Sequence, residues 1–258
     1  MASTANEHQE QAVGIPSPVG SESTIAAQRT ALRIGAVGAL GGGILTLVGN
    51  VLHPREAGQL EDVETFLNVA AGSEIWVIDH FLILIAVSLL LAAFFGLGRS
   101  FTSDVAHAWA RFAWTASIVG VVFALALMVT EATAVAAVAD QWATVTGAEQ
   151  DMALAAGSVL FELSLVFSVG AMLFLFGATP LLFGVAMLKS DDYPSWIGGA
   201  GMIFGSVALA AGTLQILTQQ TTLTQFVLFP VAAIGVTLWI VYVGVLLWRR
   251  SNQIGART

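Results

Sequence analysis

The chain has 258 residues, of which 57% are hydrophobic and only 10% charged, with a mean hydropathy of +0.83. That is too apolar for a water-soluble domain of this length and assigns it to the integral membrane class. The net charge of -8 and scattered basic residues argue against a nucleic-acid partner, and the absence of cysteine excludes disulfides, iron–sulfur clusters, thiolate metal sites and cysteine nucleophiles.

Residues 1–29 carry Ser, Glu, Gln, Pro16 and Pro18 without an apolar periodic face and read as a disordered tail. The stretch lacks the apolar core and small-residue cleavage site of a secretory signal, so the first hydrophobic segment is expected to remain as an anchor. Six apolar segments follow, at about 30–52, 75–98, 108–139, 152–188, 195–218 and 224–248, each long enough to cross a hydrocarbon core that takes ~20 helical residues. Asp140, Gly147, Glu149 and Asp151 end the third near Ala139. The fourth contains Gly177-Ala178-Thr179-Pro180, where proline removes a backbone donor and predicts a kink. Continuously apolar runs without alternation exclude a strand-based barrel. The expected fold is therefore all-α: a polytopic membrane protein with six transmembrane helices over 30–249 and a short tail over 250–258.

Lys and Arg in the short flanks set the orientation. Arg29, Arg33, Arg99, Arg111, Lys189, Arg249, Arg250 and Arg257 fall with the termini and the even connections, and Arg55 falls opposite. Glu56, Glu61, Asp62, Glu64, Glu74, Asp140, Glu149 and Asp151 occupy the first and third connections. Both termini are expected in the cytoplasm of a prokaryotic plasma membrane. Gly38 and Gly42 in the first span, and Gly201 and Gly205 in the fifth, have the spacing that lets helices approach closely, within the chain or in a homo-oligomer or larger membrane complex. The seven tryptophans lie mostly near span ends and read as interface anchors.

Depth along the helices concentrates the chemistry. His53, His80, Glu131 and Gln215 each lie about 20 residues, or ~30 Å, from a cytoplasmic anchor, so they share one level near the outer face. Asn50 shares a face with His53, Asp79 adjoins His80, and Glu162 falls at or slightly above the same level on the fourth helix. Two imidazoles with carboxylates could hold a metal ion through nitrogen and oxygen, or His53 and His80 could be the axial ligands of a haem. Asp79 should not aim where His80 aims, because adjacent helical residues diverge by about 100°; it would instead support a ligand from another element or face a different neighbour. The same depth is also where polar side chains become inexpensive at the interface, so ordinary interfacial partners are the readier account of each of these residues taken singly. No H-E-x-x-H, E-x-x-H, C-x-x-C-H or G-x-S-x-G is present, and no span carries a lysine for a Schiff base. Ser158, Ser164 and Ser168 read as back-bonded to their own helix.

Val51-Leu52-His53-Pro54, Asp79-His80-Phe81 and Tyr193-Pro194-Ser195-Trp196-Ile197-Gly198 together resemble uncharacterised prokaryotic six-helix membrane proteins grouped as a domain of unknown function, over about residues 30–248. The resemblance implies the architecture and brings no catalytic residues. Three functional readings stay open: an outer-face site for a metal ion or haem at His53 and His80 with Glu131 and Glu162; a non-catalytic scaffold or accessory subunit; and a proton- or solute-linked transporter using Glu131. Whether the chain is an enzyme is undetermined at this level.

Overall fold

The computed structural model describes residues 19–54, 62–219 and 222–255, and their regular structure is entirely helical. The helices are α1 (Val19–Leu52), α2 (Val63–Gly72), α3 (Trp76–Gly98), α4 (Asp104–Thr130), α5 (Ala136–Thr144), α6 (Ala148–Leu173), α7 (Thr179–Leu188), α8 (Ser195–Thr218) and α9 (Phe229–Gly255). Wide π turns join α4 to α5 (Glu131–Val135) and α6 to α7 (Phe174–Ala178), and a third (Thr222–Leu228) precedes α9. The joined pairs make two continuous rods of 41 residues each, and among the described residues six rods are long and apolar enough to cross a membrane. Each rod exposes large apolar side chains, among them Ile44, Phe81, Phe112, Val166, Ile203 and Leu238. Such faces would be unfavourable in water and suit lipid.

Several boundaries differ from expectation. Helix α1 begins at Val19, so the part of the presumed tail from Val19 to Arg29 is helical; Ala26, Ala27 and Gln28 favour helix. The tail before it, with His8, lies outside the described residues, as do Arg55, Glu56, Glu61 and Arg257. Helix α9 likewise continues through Arg250 to Gly255. The third rod does not stop near Ala139 but runs to Thr144, because Asp140 points to the exposed side and leaves the helix intact. The reversal comes at Gly147, whose φ of 67° suits a residue without Cβ. At Pro180 a π turn stands where a kink was expected, and the Thr179 hydroxyl donates to the Phe174 carbonyl at 2.7 Å.

The first connection also holds a helix that its acidic residues concealed. Asp62 caps α2, its Oδ2 accepting from the Thr65 amide at 2.9 Å. Phe66, Leu67, Val69 and Ala70 form its buried face and pack with Trp76, Val135, Ala139 and Phe161. A Cβ on Gly157 would lie 2.7 Å from Leu67 Cδ1, so that glycine makes room for the helix to seat. Two rods of 41 residues are roughly 60 Å long, about twice a hydrocarbon core, so the hairpin they form extends beyond the bilayer. Helix α2 packs against that hairpin, on α5 and α6.

Glycines set the closest helix contacts, and they do so within the chain. A Cβ on Gly38 would sit 2.6 Å from the Leu89 carbonyl oxygen, and one on Gly205 would sit 2.7 Å from the Gly177 carbonyl oxygen. Gly42 and Gly201 similarly face the carbonyls of Ala86 and Pro180. These are α1 against α3, and α8 against the π turn and α7, so the glycine faces are already covered by neighbouring helices of the same chain. Trp76 and Trp239 are not interface anchors: both are buried, with their indole N–H groups donating to the carbonyls of Glu131 and Ile197 at 2.8 and 2.9 Å.

At the end opposite α2 the connections are tied together by Asp192. Its carboxylate accepts from Arg250 Nη2 at 2.8 Å and from the Thr102 amide at 2.9 Å, and Arg250 stacks over the Tyr193 ring. Burial alone would raise this carboxyl, but the Thr102 amide and the Arg250 charge outweigh it and hold it below its ordinary value. The sign follows directly: the native state prefers the ionised form, so the stabilisation is complete above the unfolded value of about 4 and is lost as pH falls through the lower native one. Asp192→Asn is expected to destabilise by about 1–3 kcal/mol and to flatten the acid limb of a thermal-stability profile recorded in detergent.

Candidate functional site

The end of α1, the first turn of α3 and the π turn after α4 converge on one buried group of titratable side chains. His53 closes α1, its amide donating to the Gly49 carbonyl at 2.8 Å, and Pro54 prevents a further turn. Asp79 and His80 lie in the opening turns of α3, and Glu131 is the first residue of the π turn. The indole of Trp76 donates to the Glu131 carbonyl at 2.8 Å and so fixes the wide turn against α3.

The side chains form an unbroken sequence of hydrogen bonds. His53 Nδ1 lies 2.7 Å from Asp79 Oδ2, Asp79 Oδ1 lies 3.0 Å from His80 Nδ1, and His80 Nε2 lies 2.8 Å from Glu131 Oε2. His80 Nδ1 is also 2.6 Å from the Trp76 carbonyl. A carbonyl can only accept, so Nδ1 of His80 carries its hydrogen; Nε2 and Glu131 then share one further proton between them. Asp79 and His80 are fully buried and Glu131 nearly so, whereas the His53 side chain is 21% exposed. No lysine or arginine contacts the group among the described residues. The imidazoles are therefore what make the buried carboxylates tolerable in an apolar surround.

The expectation that Asp79 and His80 diverge is overturned. The His80 ring folds back along the helix to reach the carbonyl of Trp76, four residues earlier, which brings Nδ1 beside the Asp79 carboxylate. Glu162, expected at the same level, is exposed on α6 and does not join the group, because its rotation about the helix turns it outward. Gln215 is buried elsewhere, where its Oε1 accepts from Thr224 and Gln225, and Gln225 in turn donates to Ser168. Asn50 sits one turn before His53 and donates to the Thr46 carbonyl. Ser158 bonds back to Leu154 as expected, but Ser168 pairs with Gln225 and Ser164 has no hydrogen-bond partner among the described residues. Trp76 is the participant that sequence reasoning missed; its spacing of i, i+3 and i+4 to Asp79 and His80 was the available signal.

Beside the group lies a cavity of about 450 Å³ whose lining includes Asn50, His53, Phe66, Glu131, Phe161 and Ser164. His53, Asp79 and His80 each offer a ligand atom within 4.8 Å of the others, all nitrogen or oxygen. Nitrogen and oxygen donors fit a borderline divalent ion, and because Nδ1 of both rings is engaged by Asp79, the nitrogens left to face an ion are His53 Nε2 and His80 Nε2, the latter beside the Glu131 carboxylate. A bis-histidine haem does not fit: the two rings are edge to face with centroids 5.0 Å apart. Two iron–nitrogen bonds of roughly 2 Å with a macrocycle between them require a centroid separation above ~6 Å. No family model, curated protein or solved structure matches the chain. The chemistry of the site therefore rests on its own geometry.

Asp79→Asn removes the charge that holds both rings and leaves buried hydrogen-bonding groups mismatched. A loss of about 3–5 kcal/mol is expected, read as a large fall in the melting temperature of detergent-purified protein. Glu162→Gln should stay within ~0.5 kcal/mol of the parent.

Proposed function

We propose that this protein is a multi-pass protein of a prokaryotic plasma membrane that binds a divalent transition-metal ion at the outer end of its bundle. His53, His80 and Glu131 supply the ligands and Asp79 orients both rings. One observation carries the reading: a single buried carboxylate engages Nδ1 of both histidines. Metal-binding imidazoles characteristically donate their second nitrogen to a carboxylate or carbonyl, which fixes the ring and turns the other nitrogen toward the ion. His53 Nε2 makes no hydrogen bond among the described residues, and His80 Nε2 already faces a carboxylate that could share an ion with it.

The basic flanks favour cytoplasmic termini, which puts the group and α2 on the outer side. Since the chain has no cysteine, single reporters are readily installed. In intact cells Thr146→Cys, at the exposed tip of the hairpin, should react with a membrane-impermeant maleimide, and Asn252→Cys should react only after lysis. The reverse pattern would invert the orientation.

Elemental analysis of detergent-purified protein tests the site itself. Near-stoichiometric zinc, manganese, iron or cobalt is expected in the parent and in Glu162→Gln, with at least a tenfold loss in His53→Ala/His80→Ala, given that ligand removal exceeds the ~10–100-fold effect of orienting residues. A parent protein that is metal-free and fails to take up added Zn²⁺ or Mn²⁺ would overturn the reading.

A further inference from the structure

The cavity beside the His–Asp–His–Glu group has features that the metal reading does not use. Most of its lining is apolar: Leu47, Val87, Leu127, Phe176, Phe229 and Ile234 contribute from helices on all sides. The polar residues among the lining are nearly all satisfied inside the protein. Thr46 and Thr237 donate to carbonyls of their own helices, at 2.8 and 2.7 Å, and Ser168 and Gln225 bond to each other. Ser164 is different. It is 5% exposed, lines the cavity, and its hydroxyl has no hydrogen-bond partner among the described residues. A buried hydroxyl without a partner is unfavourable by roughly the value of a hydrogen bond, and a molecule occupying the cavity would supply one.

We infer that the cavity binds a neutral lipophilic molecule bearing a single hydroxyl or carbonyl head, entering from the bilayer, with its head hydrogen-bonded to Ser164. The volume lies within the ~300–1,000 Å³ of small-molecule sites, and largely apolar walls with a few convergent polar groups are their usual character. Charge selects against an anionic head. In the metal-free protein Glu131 is in the lining, the lining contains no lysine or arginine, and its one imidazole, His53, is already engaged by Asp79, so a fatty-acid carboxylate or a phosphate would find no unengaged cation to pair with. Lateral entry is favoured because Val51 of α1 and Ile234 of α9 both line the cavity and are 84% and 53% exposed on the outside of the bundle. The mouth therefore lies between those helices, where lipid is the surrounding solvent.

Binding of radiolabelled farnesol, a neutral isoprenoid alcohol, to chelator-treated protein in detergent tests this independently of any metal. Saturable uptake of one equivalent per chain is expected. Ser164→Ala should weaken it about tenfold, the effect of one hydrogen bond. Ala124→Leu, or Ala233→Leu should the first fail to fold, should abolish it by filling the space. Palmitate and the alkane farnesane should each compete at least tenfold more weakly. Equal farnesol uptake by the parent and the filled variants would place the molecule on the outer surface and overturn the inference, and palmitate competing as well as farnesol would overturn the neutral head.

Discussion

A carboxylate with almost no access to solvent governs the α2 end of this bundle. Asp79 lies where an unpartnered charge would be prohibitive, and no guanidinium or ammonium reaches it among the described residues. Its partners are two imidazoles, one from the end of α1 and one from its own helix. Satisfying Asp79 thus dictates where α1 stops, how α3 begins and, through His80 and Glu131, where the third rod must widen into a π turn. The Trp76 indole closes the circuit by occupying the Glu131 carbonyl. Neutral replacements on one side of such a network leave the other side exposed to the same desolvation, so its members act as a unit.

The six spans were legible because an apolar run of span length has few alternatives. Depth was legible as well: counting residues from the basic flanks placed His53, His80 and Glu131 at one level, and the structure brings them together. Depth fixes only the position along each axis. Glu162 lies at a similar level yet faces outward, because rotation about a helix is set by packing against neighbours distant in sequence. Asp79 was misjudged for a related reason. Helical angle describes where Cβ points, whereas His80 folds back along its helix to its carbonyl partner and so shares the Asp79 carboxylate. Helix α2 was hidden by its acidic flank, although Asp62-x-x-Thr65 followed by Phe66, Leu67, Val69 and Ala70 carries a cap and an amphipathic face.

The π turns explain features that a regular helix could not combine. Glu131 belongs to a span that is apolar on both sides, and a regular α-helix offers no spare carbonyl at that depth. Widening the turn lets the Glu131 backbone accept from Trp76 while its side chain meets His80. The turn before Pro180 does the equivalent at the other long rod, where the Thr179 hydroxyl takes the Phe174 carbonyl. Both irregularities are thus local solutions to backbone hydrogen bonding in a medium that offers no water.

The buried polar group and the apolar cavity share His53 and Glu131 in their walls, and this adjacency is the feature least explained by stability. A bundle selected only for packing would fill a space of about 450 Å³ with larger side chains, since every missing contact weakens the core. It would also replace Ser164 by alanine, because a partnerless hydroxyl brings no benefit there. The chain instead keeps Ala124, Ala171 and Ala233 in the wall, packs α2 against Trp76 and Phe161 beside the buried group, and leaves the buried Ser164 hydroxyl without a hydrogen-bond partner among the described residues. Local departures from good packing that coincide with a buried cluster of titratable groups are what a binding site requires of a fold.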